Sequence, residues 1–435
     1  MNRQHLSQRI YDWIHVHEQE AIRVVQQLIQ IESENHPPRG NEKAYQLHFA
    51  DVLKLLGAEV QQYELHSVSG LTQHPAYMSG RNYEDRPNVV GRFHGSGQGR
   101  SLLFSGHADT VYAGTEKWTF PPYSGTLHDG KIYGRGSYDM KGGMAAACVA
   151  VQCLSALGVR LQGDVLIESV VDEEHGGANG TLAGRLFGTE ADLAIIPEPS
   201  NLEVATHHLG GGIWRAEFKG KSGIGFAGEK LVSALDAAVE FVQMFQQFQK
   251  DREQRMALMP PFAIKPGAVV MKLTAGDPSR ELPEKVPGDA ACTFWIEGYP
   301  GMKGDEVFQS FMEFMNQRLD QYDSLRNCPP EIVPLIRYLD GSGTNMNAKD
   351  AQAAVQHLCE LGSRITGEKK TAVGAPFACD GFMFNLHSST PAVILGPSGG
   401  NAHAADEFID VEGYKQLIQW YAEMMLDWCG YEESN

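Results

Sequence analysis

The sequence predicts an α/β fold: a mostly parallel sheet flanked by helices, interrupted by an inserted α+β unit. Three observations carry that expectation. Short, mostly apolar runs recur at 102–104, 165–171 (interrupted by Glu168 and Ser169), 193–196 and 392–395, as expected for parallel strands buried on both faces. Each run is closed by glycine or proline together with an acid or a histidine. Between about 210 and 324 the pattern changes to alternation, as in Ile213-Trp214-Arg215-Ala216-Glu217-Phe218 and Ala268-Val269-Val270-Met271-Lys272-Leu273, which is the period of half-exposed antiparallel strands.

In chain order, residues 1–32 are amphipathic and charged, with Ile10, Trp13, Ile14, Ile22, Val25 and Leu28 spaced for a surface helix pair rather than a signal peptide. The run 102–104 leads into Ser105-Gly106-His107-Ala108-Asp109, so His107 leaves the carboxyl end of a strand. That edge of an open α/β sheet is where ligands bind. Asp139 opens a small-residue helix over 144–157, Glu173 and Glu174 end the second run, and Glu198 lies between Pro197 and Pro199. His403 follows the last run. The insert adds helices over 231–250 and 305–322, which divides the chain into 1–209, 210–324 and 325–435, the outer two forming one domain.

Singly, each residue has an ordinary structural explanation, Asp139 as a helix N-cap, for example. Together at neighbouring strand ends, these acids would carry a large repulsive and desolvation cost unless a cation neutralised them. The set reads as a metal site.

Composition sets bounds. With 435 residues and 42% hydrophobic content the chain can bury two cores. A formal net charge of −18, with no lysine/arginine run, argues against nucleic-acid or anionic-membrane binding, and bound divalent cations would offset part of it. No apolar stretch approaches the roughly 20 residues needed to span a bilayer, and a cytoplasmic location is expected. Seven cysteines, an odd number without C-x-x-C spacing, read as reduced thiols. Cys379, beside Asp380 on the expected active-site side, has no paired base and is not expected to be a nucleophile.

The motifs Gly106-His107-Ala108-Asp109-Thr110, Gly134-Arg135-Gly136 with Asp139-Met140-Lys141-Gly142-Gly143, Asp172-Glu173-Glu174, Pro197-Glu198, and Ala402-His403 with Asp406-Glu407 carry a resemblance over nearly the whole chain. They resemble the zinc-dependent metallopeptidases and amidohydrolases that include acetylornithine deacetylase, succinyl-diaminopimelate desuccinylase, aminoacylase and glutamate-releasing carboxypeptidase. The resemblance implies two zinc ions bridged by Asp139, one completed by His107 and Glu198 and the other by Glu174 and His403. It further implies Glu173 as general base, Asp109 as the acid orienting His107, and an insert that acts as lid and homodimer contact. The donor types agree with zinc, though cobalt or manganese suit the same ligands. A ligand imidazole usually gives its other N–H to a carboxylate, the role expected of Asp109.

Two departures fall in the insert. Relatives carry Gly-x-x-Ala-His, whose histidine binds the scissile carbonyl, where this chain reads Gly220-Lys221-Ser222-Gly223-Ile224. Losing one such donor costs about 10²–10³ in rate, so His207 or His208 is a candidate replacement, with a structural hinge role the equal alternative for either. Relatives also carry Asp-x-Arg before Pro-Gly, the arginine binding a substrate carboxylate, where this chain has Trp295 and Glu297. An acid and an indole facing the site would favour an amino-bearing ring over a carboxylate.

Four functions follow from these expectations. The default is an acetylornithine-deacetylase-like hydrolase of a small N-acyl or non-peptide amide. A deformylase of a carboxylate-lacking amide such as a formylaminopyrimidine, in thiamin salvage, is the rival. A dipeptidase or carboxypeptidase is the third, and a non-catalytic, metal-retaining binding protein the fourth.

Overall fold

The computed structural model describes residues 3–433 except 227, 278, 280, 282 and 283. It is a mixed α/β structure that divides into two compact units, one comprising the chain up to His207, Gly343–Ala375 and the chain from Asp380, the other His208–Ser342 with Pro376–Cys379. In the first unit, strand Leu102–His107 pairs in parallel with Val165–Val170 on one side and Leu193–Ile196 on the other. Leu193–Ile196 continues in parallel to Ala392–Ile394. All four are buried along their whole length, which is why their sequences are largely apolar. The sheet is parallel only in this middle. Asn88–Phe93 and Glu59–Tyr63 extend it antiparallel.

The register aligns the strand ends. Leu102 stands opposite both Val165 and Leu193, so the loops that follow open at one edge. Gly106 permits the close packing behind them: a Cβ there would stand 2.5 Å from the Met144 sulfur. Met144 lies on helix Gly142–Ala156, small and apolar nearly all round and therefore buried. It packs between helices Glu18–Ile29 and Val411–Cys429. The expected amino-terminal pair is present as Arg3–Val16 and Glu18–Ile29. Among the described residues no helix is long and apolar enough to cross a membrane.

The first helix is tied to the last by charge. Arg3 Nε lies 2.6 Å and His357 Nε2 3.0 Å from the Asp427 carboxylate. Burial pushes that carboxyl up, but His357 and Arg3 overcome it and draw it down to about 2 from 3.8. A depressed folded pKa means stability present above the unfolded value and lost as pH falls through the folded one. Asp427→Asn is therefore expected to remove about 1 kcal/mol at neutral pH and only a small fraction of that at pH 2, read by urea melts at both.

The second unit is a four-stranded antiparallel sheet in the order Ala268–Ala275, Asp289–Gly298, Gly210–Lys219, Glu331–Leu339. Ala290, Cys292, Phe294 and Ile296 face a core containing Phe241, Phe245 and Phe311 from helices Ala234–Arg255 and Gly304–Arg318. This unit runs past the expected boundary at 324 because Glu331–Leu339 closes its sheet. Pro334 disguises that strand in the sequence, since proline breaks a central strand but is tolerated at an edge. The apolar face of helix Ala234–Arg255 packs into the unit's own core.

Candidate metal centre

His107 is the last residue of its strand and almost fully buried. Its Nε2 lies 3.1 Å from Asp139 Oδ1 and 3.8 Å from Glu198 Oε1. The other oxygen of Asp139 faces a second imidazole, with His403 Nε2 3.3 Å from Oδ2. His403 is also 3.0 Å from Glu174 Oε2, while Glu174 Oε1 accepts from the Val111 amide at 3.2 Å. The structure thus gathers two donor groups that share Asp139: His107, Asp139, Glu198 and Asp139, Glu174, His403. Glu198 Oε1 is buried without a hydrogen-bond partner, an arrangement a cation would satisfy. Donor type and geometry fit a pair of divalent cations.

Glu407 presents Asp139. Its Oε2 accepts from Arg135 Nη1 at 2.7 Å and Gly136 N at 3.1 Å, and its Oε1 from Tyr138 N at 2.9 Å and Asp139 N at 3.0 Å. Gly143 allows helix Gly142–Ala156 to approach Pro197 and hence Glu198; a Cβ there would meet the Pro197 carbonyl at 2.4 Å.

The groups hold one another's protons. Burial would lower the pKa of His107, but Asp139, Glu198, Glu173 and Glu174 hold it well above the usual value. Glu174 first, and then Asp139, raise His403 in the same way against its burial. Burial pushes Glu173 well up, opposed by His107 and reinforced by Asp380, Glu174 and Asp109. Burial and then Asp139 do the same to Glu198. Burial would raise Asp139, but hydrogen bonds from His107 and His403 bring it down. Divalent cations replacing these protons would satisfy the same carboxylates.

Asp109 sits where expected but acts differently. His107 Nδ1 is 2.8 Å from the Asp109 main-chain carbonyl and 3.9 Å from its carboxylate, so the carbonyl orients the ring. The carboxylate instead accepts from the amides of Glu173 at 3.1 Å and Glu174 at 3.0 Å. Sequence reading missed Asp380, whose carboxylate groups with those of Glu173 and Glu198. Its signals were an acid ahead of Gly381 at the start of a short helix and a segment expected on the active-site side.

The three candidate substrate contacts are engaged inside the second unit. His208 is buried with Nδ1 2.9 Å from the Leu209 carbonyl and Nε2 2.8 Å from Ser342 Oγ, so the imidazole serves its own unit instead of offering a free donor. Glu297 Oε2 accepts from Gly267 N at 2.6 Å. Trp295 lies against Gly211, where a Cβ would stand 2.1 Å from the indole. Ile224 is 52% exposed, and no imidazole stands in its segment.

The model of peptidase family M20/M25/M40 matches residues 103–427, spanning the metal centre. N-formyl-4-amino-5-aminomethyl-2-methylpyrimidine deformylase of Halalkalibacterium halodurans is 25% identical over 94% of this chain and 95% of its own length. A probable succinyl-diaminopimelate desuccinylase of Staphylococcus aureus is 25% identical over 78% and 86%. The crystallised dipeptidase Dug1p of Saccharomyces cerevisiae shares the fold, with a TM-score of 0.75 at 12% identity over 98% of this chain and 99% of that one. The chain belongs to peptidase family M20/M25/M40.

Proposed function

We propose that this hydrolase cleaves the amide C–N bond of a small N-acyl amine, with a pair of divalent cations held by His107, Asp139, Glu174, Glu198 and His403. The observation that carries the reading is the Asp139 carboxylate, whose two oxygens face imidazoles from opposite ends of the sequence. Zinc is the metal assigned, on donor type, with cobalt and manganese as substitutes. When bound, such ions polarise a carbonyl and bring a water's pKa near neutrality. Glu173 would take the proton of an attacking water and pass it to the leaving nitrogen, so that one C–O bond forms as the C–N bond breaks.

The substrate we assign is an N-formyl or other N-acyl amine without a free carboxylate, of the aminopyrimidine type. Support comes from the deformylase likeness over 94% of the chain and from position 297, where no arginine stands to bind a carboxylate. Turnover of N-formyl-4-amino-5-aminomethyl-2-methylpyrimidine is expected to exceed that of N-acetylornithine and N-succinyl-diaminopimelate by at least about tenfold in kcat/KM. A preference for either carboxylate-bearing amide would reverse the assignment.

We also assign a homodimer through the second unit. Its edge strand Ala268–Ala275 is unpaired on one side and exposes Val269 by 50%, Met271 by 57% and Leu273 by 40%. Light scattering at twice the chain mass is the expected result. Seven cysteines, six of them buried and none in C-x-x-C spacing, fit a reducing compartment such as the cytoplasm.

A further inference from the structure

We infer that Asn35 is a positioning residue for the loop Asp172-Glu173-Glu174, and through it for the general base and one metal ligand; this rests on the roles proposed for Glu173 and Glu174. Asn35 is 1% exposed, and its side-chain Nδ2 donates to two carboxylates at once, Asp109 Oδ2 and Asp172 Oδ1, each at 2.8 Å. Asp109 is the acid that receives the backbone amides of Glu173 and Glu174. Asp172 starts the loop, with φ at 66°, a left-handed conformation that an aspartate keeps only when its surroundings hold it. One amide group therefore ties the residue that opens the loop to the residue that holds its next two amides.

The residue type follows from the donor count. An asparagine NH₂ has two hydrogens, one for each carboxylate; serine offers one, alanine none, and aspartate would place a third acid between two others. Asn35 Oδ1 is buried and accepts from nothing among the described residues. An unpaired buried acceptor costs stability, so the position is held for its donors in spite of that cost. The backbone fixes where those donors point. Asn35 N donates to the Thr110 carbonyl at 2.9 Å, Thr110 N to Ser33 at 3.0 Å, and Ser33 Oγ to Ala108 at 2.6 Å. This laces 33–35 to the segment that follows His107. Tyr83 Oη secures the far oxygen of Asp172 at 2.6 Å, so the aspartate side of the clamp is anchored without Asn35, while the link to Asp109 is not.

The test compares Asn35→Ala and Asn35→Ser with the wild type in three readouts: thermal melting, cobalt titration followed in the visible spectrum, and kcat and KM on the best substrate of the wild type. Asn35→Ala is expected to weaken one cobalt site and to lower kcat, each about 10–100-fold, with KM within about threefold. Asn35→Ser, keeping one donor, should fall between. A folded Asn35→Ala with both cobalt affinities and kcat within about twofold of wild type would overturn the inference, as would equal weakening of both cobalt sites, which a general structural role predicts. If Asn35→Ala does not fold, Asn35→Ser decides by the same split. A wild type that binds cobalt but hydrolyses no amide would defeat the functional proposal, and the cobalt titration would still decide the role of Asn35.

Discussion

Glu173→Gln is expected to lower kcat by about 10²–10⁴ while the metal content and the fold stay as they are. Glutamine has the shape of glutamate and keeps one acceptor oxygen, so the loop held by the Asp109 carboxylate through the Glu173 and Glu174 amides has no reason to move. What is lost is the capacity to hold a proton between the attacking water and the leaving nitrogen. Glu173 is not in either group that shares Asp139, so its replacement should leave two ions bound. KM should change little, which places the defect in the chemical step. Metal analysis and steady-state kinetics on the same preparation check both halves. Unchanged turnover would remove Glu173 from the mechanism, and the absence of turnover in both proteins on a wide amide panel would favour a metal-retaining binding protein.

Glu407→Ala is expected to destabilise the protein by about 3–5 kcal/mol, because it leaves the buried Arg135 guanidinium without its carboxylate. Arg135 and Glu407 are 1% and 0% exposed, and their contact is 2.7 Å. The same carboxylate collects the amides of Gly136, Tyr138 and Asp139, so the segment presenting the shared ligand should loosen as well. Glu407→Gln should be intermediate, since one acceptor oxygen survives and the other becomes a donor facing donors. Urea melts give the stability, and zinc retention during dialysis reports on Asp139. A cost below about 1 kcal/mol in Glu407→Ala would mean that the segment is held by other contacts.

Four donors of the candidate metal centre were legible because they come after apolar runs, and Asp139 because it opens a small-residue helix. Parallel strands must be buried on both faces, so 102–104, 165–171, 193–196 and 392–395 announce themselves, and the shared register then brings their ends together. His107, Glu174, Glu198 and His403 meet for that reason, and Asp139 joins them from the segment that Glu407 holds ahead of helix Gly142–Ala156. Groups that act through long-range hydrogen bonds carry no such periodic signal. Nothing in the sequence says that the Asp109 carboxylate turns toward two backbone amides instead of the His107 ring, or that Asn35 reaches Asp109 and Asp172. Asp380 was passed over because its partners, Glu173, Glu198 and Thr181, lie some two hundred residues away. In the insert, alternation predicted the strands, but Pro334 hid the last of them, and the fate of Glu297 was decided by Gly267, just ahead of the neighbouring strand Ala268–Ala275.

The central claim is a shared carboxylate holding two cations, and metal stoichiometry tests it most directly. Apoprotein titrated with zinc or cobalt is expected to bind two ions per chain, His107→Ala to weaken one of them, and Asp139→Ala to weaken both. A wild type that saturates at one ion, or an Asp139→Ala variant that still binds two tightly, would contradict the account.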